Sequence, residues 1–261
     1  MTSRVFDDQL GREVILKGLP QRIVSLVPSQ TELLYDLGLG DRVVGITKFC
    51  IHPKEWFDSK IRVGGTKNVN IDRVKSLQPD LILANKEENT QEDIALLETI
   101  APVWISDINT LDDALKMIVS VGHMVGCEQA SEKMMKDINH SFSKEKISVS
   151  QSALYLIWKD PNFCAGKETF INSMLEKAGF HNVCEAKRYP ELGTFDMTEP
   201  EVVLLSSEPY PFKETDLAQF KLQFPKAKVI FVDGELFSWY GSRMRLAADY
   251  FYNLQNEISS H

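Results

Sequence analysis

Six loops of this sequence carry aromatic, amide, thiol and charged side chains, which are the groups that proteins use to recognise small ligands. Each loop follows a short apolar segment that is typical of a strand. The carboxyl ends of parallel strands form the ligand-binding edge of an α/β sheet, so we expect these side chains to contact a ligand. The candidate binding residues are Lys48, Phe49, Cys50, His52, Thr66, Lys67, Asn68, Asn85, Lys86, Glu87, Trp158, Phe163, Glu208, Tyr210, Trp239, Tyr240 and Arg243.

Cys50 and His52 lie two residues apart and are the first candidates for catalysis or metal binding. A thiol and an imidazole could act as nucleophile and base, and together with Cys164 they could bind zinc. However, the three residues follow no ligand-spacing motif, and the sequence has neither a GxSxG nucleophile elbow nor a P-loop. We therefore expect no catalytic residue, no cofactor and no metal held by protein side chains, with a Cys50-dependent enzyme as an alternative.

Three cations in these loops could recognise a charged ligand. Lys48, Lys67 and Arg243 would be counter-charges to an anionic ligand, including one that already holds a metal in a chelate.

The composition of the chain excludes several other classes of protein. The 261 residues carry a net charge of −8, and the lysines and arginines are spread among acids, so we expect no nucleic-acid partner. No apolar run reaches the roughly 18 residues of a membrane span. The four cysteines include no CxxC pair, which does not favour a disulfide scaffold. The sequence as given begins without the apolar core of a signal peptide, so either the protein stays in the compartment where it is made or its export signal was removed.

The first half of the chain alternates strand-like and helix-like segments. Ser29 and Glu32 have the spacing of a capping box for the first helix, and Asn70 and Thr90 are expected to cap later helices. Such alternation with short joins predicts a parallel sheet. Strands are predicted at 22–27, 43–46, 80–84 and 102–105, and helices at 30–37, 71–77, 90–100 and 110–125.

The pattern restarts in the second half, after one long segment that is compatible with a helix. Residues 128–147 contain neither glycine nor proline, and a helix of that length would reach roughly 30 Å. We therefore predict an α/β fold with two lobes, 1–127 and 148–261, each with a mainly parallel sheet, joined by the helix 128–147 with a ligand cleft between the lobes. The second lobe is predicted to have strands at 153–158, 202–205 and 228–232 and helices at 169–178 and 242–258.

Three segments resemble one protein family. They are Arg22-Ile23-Val24-Ser25-Leu26-Val27-Pro28-Ser29-Gln30-Thr31-Glu32, Leu77-Gln78-Pro79-Asp80-Leu81-Ile82 and Phe163-Cys164-Ala165-Gly166-Lys167-Glu168. The chain is similar, from about Phe6 to its end, to the solute-binding proteins of bacterial ABC importers for cobalamin, ferric siderophores and haem. The resemblance implies two lobes on a helical backbone, binding without turnover, delivery to a membrane permease, and a place in the periplasm or cell envelope.

The resemblance also implies roles for particular residues. In the cobalamin binders aromatic side chains flank the corrin; Phe49 and Phe163 match such positions and Trp239 is nearby, whereas Asn85 and the region of Lys67 depart from the pattern. This departure implies a pocket more polar than a cobalamin cleft.

An acid on each lobe docks the permease in this family. Asp72 fits the first, and Glu199 or Glu191 the second. Asp72 could equally be a partner for the dipole of its own helix.

The sequence thus predicts a monomeric receptor that binds a corrinoid, ferric siderophore or haem-like ligand and delivers it to an ABC importer permease. The alternatives are a cytosolic relative that binds another small polar molecule, as the absence of an export signal and the polar residues Lys67 and Asn85 suggest, and the Cys50-dependent enzyme.

Overall fold

The structure is a computed structural model that describes residues 3–144 and 151–260. It divides into two compact units. The first takes in the described residues up to Asp107, together with Asp112–Asp137 and Tyr240–Arg243. The second takes in Ile108–Leu111, the described residues from Ile138 to Trp239, and those from Met244 onward.

The first unit contains an N-terminal hairpin and a parallel sheet. The hairpin consists of the antiparallel strands β1 (Arg4–Asp7) and β2 (Glu13–Leu16). The elements that follow are β3 (Ile23–Ser25), α1 (Pro28–Asp36), β4 (Val43–Ile46), α2 (Lys54–Ser59), β5 (Ile61–Arg62), β6 (Gly64–Gly65), β7 (Asn68–Val69), α3 (Ile71–Ser76), β8 (Leu81–Asn85), α4 (Gln91–Glu98), β9 (Val103–Ser106), α5 (Leu111–Val125) and α6 (Glu128–Lys144). The first residue of α5, and α6 from Ile138 onward, belong to the second unit.

Five of these strands form a sheet in the order β5-β4-β3-β8-β9, and all of its neighbours are parallel. Strands β3 and β8 are buried along their whole length, which explains their continuous apolar sequence. Val24, Ile82 and Val103 pack against Val74 and Leu97 of the flanking helices in one hydrophobic core. The carboxyl ends of β4, β8 and β9 therefore lie along one edge of a rigid sheet.

The second unit is built on a mixed sheet in the order β11-β10-β13-β14, in which β12 also pairs with β10. Only β11 is antiparallel to its neighbour among the described strands of this sheet. Leu154, Leu156, Val203 and Leu205 pack on Phe220 in the core. The elements are β10 (Gln151–Trp158), β11 (Phe163–Cys164), α7 (Phe170–Lys177), β12 (Phe180–Asn182), β13 (Val202–Ser206), α8 (Glu214–Gln223), β14 (Lys228–Val232), α9 (Gly234–Ser238) and α10 (Met244–Ser259).

The α/β class and the mainly parallel sheets agree with the sequence prediction, and so do two helix caps. The side chain of Asn70 accepts a hydrogen bond from the backbone N–H of Arg73, and that of Thr90 accepts one from Asp93. The long helix α6 begins at Glu128 as expected; residues 145–147 of its predicted extent lie outside the described residues. The lobe boundaries and the cleft between lobes stay predictions.

The predicted capping box at the first helix is wrong. Helix α1 begins at Pro28, its N-cap is Val27, and the cap makes no side-chain hydrogen bond. Proline suits the first helical position because its missing N–H would have no partner there. Ser29 is therefore inside the helix, and the carboxylate of Glu32 pairs with Arg243 instead.

Two further observations concern the whole described chain. Within residues 3–144 and 151–260 no helix is both long and apolar enough to cross a membrane. The four cysteines, all of them among the described residues, are free thiols.

Candidate ligand-binding site

The loop after β4 presents an exposed aromatic ring at the edge of the first sheet. Phe49 is 50% exposed, and the Lys48 ammonium lies 5.0 Å from the centroid of its ring. The ring also lies close to Gly65 of β6, where a β-carbon would stand 3.3 Å from Phe49 Cε2. This loop therefore offers a cation and an apolar face side by side.

Cys50, in the same loop, is fully buried. Its Sγ lies 3.1 Å from Thr31 Oγ1 and 3.2 Å from Thr47 Oγ1. Burial raises the pKa of the thiol, although both threonine hydroxyls oppose the shift. His52 is half-buried. A neutral, buried thiol is a poor nucleophile, so the structure does not support Cys50 as a ligand contact or as a catalytic residue.

Asn85, at the end of β8, is only 2% exposed and holds the loop that follows it. Its Oδ1 accepts hydrogen bonds from the backbone N–H groups of Glu87 at 2.8 Å and Glu88 at 3.1 Å. Its Nδ2 lies 3.0 Å from Ser106 Oγ and 3.2 Å from the Ser106 carbonyl oxygen. These groups use both ends of the amide. The structure therefore indicates that Asn85 stabilises the loop and does not contact a ligand.

The loop that Asn85 holds carries several of the other expected residues. Lys86 is exposed and pairs with Asp107 at 2.6 Å, and Glu87 is half-buried. The Nζ of Lys67 donates to the carbonyl oxygen of Glu87. Lys67 and Lys86 therefore already have protein partners.

Glu88, which the sequence did not single out, lies beside Thr66 and Lys67. Burial raises the pKa of the Glu88 carboxyl, although the Lys67 charge and a hydrogen bond with the Thr66 side chain oppose the shift. Thr66 is buried, and its carbonyl oxygen accepts from Asn89 Nδ2 at 2.9 Å. Asn68, in β7, is exposed. No pattern in the sequence distinguishes Glu88 from Glu87, because the difference comes from folding of the loop.

The segment Tyr240–Arg243 belongs to the first unit and contacts α1. The Arg243 guanidinium donates to both carboxylate oxygens of Glu32, at 2.8 Å from Nε and 2.7 Å from Nη2. Tyr240 is buried. The backbone of Gly241 has a φ of +105°, and a β-carbon there would stand 3.1 Å from the Ser29 carbonyl oxygen. Glu32 already balances the charge of Arg243, so the expected role of Arg243 as counter-charge to a ligand is not supported.

The second unit has an aromatic surface at the edge of its sheet, formed by Trp158, Phe163 and Tyr210. Trp158 ends β10, is 42% exposed and lies opposite Phe163 of β11 in the strand register. Its ring centroid is 5.9 Å from that of Tyr210. Phe163 and Tyr210 are half-buried.

Trp239 and Glu208 contact each other at the same edge of this sheet. Trp239 follows α9 and is 7% exposed, and its Nε1 donates to Glu208 Oε1 at 2.8 Å. The structure thus brings together two residues that the sequence placed in separate loops.

The expected docking acids lie on the surface. Asp72 is exposed in the first turn of α3. Glu199 is exposed and pairs with Lys226 at 3.0 Å, and Glu191 is exposed. Among the residues that the structure describes, no group of three or more histidine, cysteine, aspartate or glutamate side chains could hold a metal ion.

Comparison with known proteins places this chain in a family. The chain belongs to the periplasmic binding proteins, because the family model with the description "Periplasmic binding protein" matches residues 23–221. The family resemblance inferred from the sequence motifs is therefore confirmed.

One relative, an uncharacterized ABC transporter substrate-binding lipoprotein (YvrC) of Bacillus subtilis, is 32% identical over 216 residues, which are 77% of this chain. The chain spans 66% of that relative's length. The vitamin B12-binding protein of Pectobacterium atrosepticum is 26% identical over 245 residues, covering 88% of this chain and 86% of the relative.

Among solved structures, the petrobactin-binding protein YclQ of Bacillus subtilis superimposes with a TM-score of 0.81, covering 97% of this chain and 98% of the other at 16% identity. An identity this low supports a shared fold only.

Proposed function

We propose that this chain binds a small metal chelate, such as a ferric siderophore, a haem-like compound or a corrinoid, and delivers it unchanged to an ABC importer. Membership of the periplasmic binding proteins supports binding and delivery. The names of two relatives, an ABC transporter substrate-binding lipoprotein and a vitamin B12-binding protein, support the importer and the ligand class.

The observation that carries the proposal is the pair of exposed aromatic side chains at the carboxyl edges of the sheets, Phe49 and Trp158. Large exposed aromatic rings are costly in water and gain free energy when a ligand covers them, at about 25 cal/mol for each Å² of apolar surface. Conjugated or macrocyclic ligands suit such rings because they can stack on them. We propose that these two rings contact the ligand.

The positive charge of Lys48, at the carboxyl edge of the first unit's sheet, favours an anionic ligand within this class. The Lys48 ammonium lies against the exposed ring of Phe49, so one ligand could contact both. Asn85, at a position that is aromatic in the corrinoid binders, is buried beneath its loop. A ferric siderophore or haem-like compound with anionic groups therefore fits this edge better than a corrin.

Titration with a panel of ligands tests the proposal. Quenching of tryptophan fluorescence and calorimetry would be recorded with haemin, the anionic siderophore complex ferric enterobactin, and cyanocobalamin. We expect at least one compound to bind saturably. We also expect the substitutions Phe49→Ala and Trp158→Ala each to weaken binding by about tenfold, which corresponds to about 1.4 kcal/mol.

Two matched variants control for the loss of exposed apolar surface. Leu96→Ala in α4 and Leu222→Ala in α8 remove exposed leucines away from the loops that follow the strands. Both should bind the ligand like the natural protein. A panel without binding would contradict the proposal, and so would equal losses in the aromatic and leucine variants.

A further inference from the structure

The indole of Trp239 is held by one carboxylate. Its Nε1 donates to Glu208 Oε1 at 2.8 Å, and the neighbouring Ser238 Oγ donates to the same oxygen at 2.5 Å. A buried indole N–H needs an acceptor, because an unpaired donor in a buried position destabilises the fold. Glu208 therefore fixes the end of α9 and the orientation of the ring that follows it.

Glu208 is itself held firmly by the end of β13. Ser206 Oγ donates to the Glu208 carbonyl oxygen at 2.5 Å and accepts from the Glu208 backbone N–H at 3.3 Å. The hydroxyl of Tyr155, a fully buried residue of β10, lies 3.1 Å from the same Ser206 Oγ. The backbone of Glu208 is thus tied through Ser206 to the buried centre of the sheet.

The first residue of α9 makes this close approach possible. A β-carbon at Gly234 would stand 2.3 Å from Ser206 Oγ and 2.8 Å from Glu208 Cγ, both too short for any side chain. The Gly234 backbone N–H donates to Ser207 Oγ at 2.9 Å. Glycine at this position lets α9 lie against the loop that follows β13. The contact between Glu208 and Trp239 therefore depends on the close packing of α9 against this loop.

We infer that Glu208 is a positioning residue, which sets the place of Trp239 at the ligand-binding edge and does not itself meet the ligand. This replaces the sequence-based expectation of a direct contact, because two protein donors converge on one oxygen of its carboxylate. The inference rests on the proposed function for the role of Trp239, but the hydrogen bond can be measured without any ligand.

The first measurement uses ligand-free protein. In a ¹H–¹⁵N spectrum, the indole resonance of Trp239 is identified by its loss in Trp239→Phe. We expect Glu208→Ala to shift this resonance and Glu208→Gln to leave it close to its original position, because the glutamine carbonyl can accept the same two hydrogen bonds. An unchanged resonance in Glu208→Ala would overturn the inference.

The second measurement is affinity for haemin, ferric enterobactin and cyanocobalamin. We expect Glu208→Ala to weaken binding by about fivefold and Glu208→Gln to stay within about twofold of the natural protein. In the Trp239→Phe background, Glu208→Ala should cause no further loss, since the residue acts through the indole. Ser238→Ala keeps the Glu208–Trp239 bond and is the control for a general disturbance of α9.

Two affinity results would overturn the inference. An equal loss in Glu208→Gln and Glu208→Ala would show that the charge of Glu208 meets the ligand. The same conclusion would follow if Glu208→Ala weakened binding in the Trp239→Phe background as well. If the natural protein bound no compound, the proposed function would fail, while the indole resonance would still decide whether Glu208 positions Trp239.

Discussion

At the scale of single residues, the loops combine exposed groups with buried polar groups that support them. Phe49 and Trp158 are exposed, whereas Asn85 and Cys50 are buried in networks with serine and threonine hydroxyls. Buried polar groups of this kind must be paired, so they stabilise the loops and leave the exposed residues in place.

Asn85→Asp tests the supporting role of the buried amide. The substitution replaces the Nδ2 donor with an acceptor facing the oxygen atoms of Ser106, and it places a charge in a buried position. We expect the free energy of unfolding to fall by about 2–3 kcal/mol in urea denaturation. Asn68→Asp, at an exposed position in β7, should change it by less than about 0.5 kcal/mol. Similar values for the two variants would contradict the role of Asn85.

Cys50 provides a test by pH. Burial raises the pKa of its thiol in the folded protein, so the folded state keeps a proton that the unfolded state loses first. The contribution of this group to the free energy of unfolding is fully present below the ordinary pKa of a thiol. It is lost as the pH rises above that value and through the raised pKa of the folded state. We expect the free energy of unfolding to fall in alkaline solution, with a smaller fall in Cys50→Ala. Equal slopes for the two proteins would contradict a raised pKa at Cys50.

The sequence indicated Phe49 and Phe163 as edge residues because they lie in loops that follow predicted strands, and Trp158 because it ends one. The sequence could not separate exposed from supporting polar residues, since Asn85 and Asn68 look alike until the loop has folded. It also could not pair Arg243 with Glu32, because 211 positions separate them in the chain.

At the scale of elements, strands with continuous apolar sequence and helices with clear caps were predictable. Strands β3 and β8 and the caps of α3 and α4 follow local rules. The hairpin β1–β2 was missed because its strands are only four residues long and half of each faces solvent. Its turn is held by Asp8, whose Oδ1 accepts from the backbone N–H groups of Leu10 and Arg12.

The ion pair between Arg243 and Glu32 attaches the segment Tyr240–Arg243 to α1, and its removal gives a prediction for that segment. Both side chains are mostly buried, so Glu32→Ala leaves a guanidinium without its bidentate partner. We expect the free energy of unfolding to fall by about 2–3 kcal/mol. Asp58→Ala, which breaks the exposed pair with Lys54, should cost less than about 1 kcal/mol. Urea denaturation measures both, and equal costs would contradict the attachment.

At the scale of the whole molecule, three short sequence motifs were enough to identify the family, and the match over residues 23–221 confirms it. Those motifs lie in strands and joins that fix the α/β fold. Ligand identity depends on loops, whose residues differ among members of one fold, so it could not be read in the same way.

The proposed docking to a permease also belongs to the scale of the whole molecule, and Asp72 is its most testable residue. If Asp72 docks the permease, Asp72→Lys should weaken binding to the importer from the same host by about tenfold at low salt. Ligand affinity should not change. Glu92→Lys, which reverses an exposed acid in the first turn of α4, is the matched control. If both variants bound the importer like the natural protein, Asp72 would be only a partner of its helix dipole.

Binding of a metal chelate without chemical change is the property on which the proposed function depends. It can be measured by native mass spectrometry after incubation with haemin, ferric enterobactin and cyanocobalamin, followed by analysis of the released compound. We expect a complex of one protein with one intact chelate, and a smaller amount of this complex in the Phe49→Ala and Trp158→Ala variants. Absence of every complex, or release of a converted compound, would contradict it.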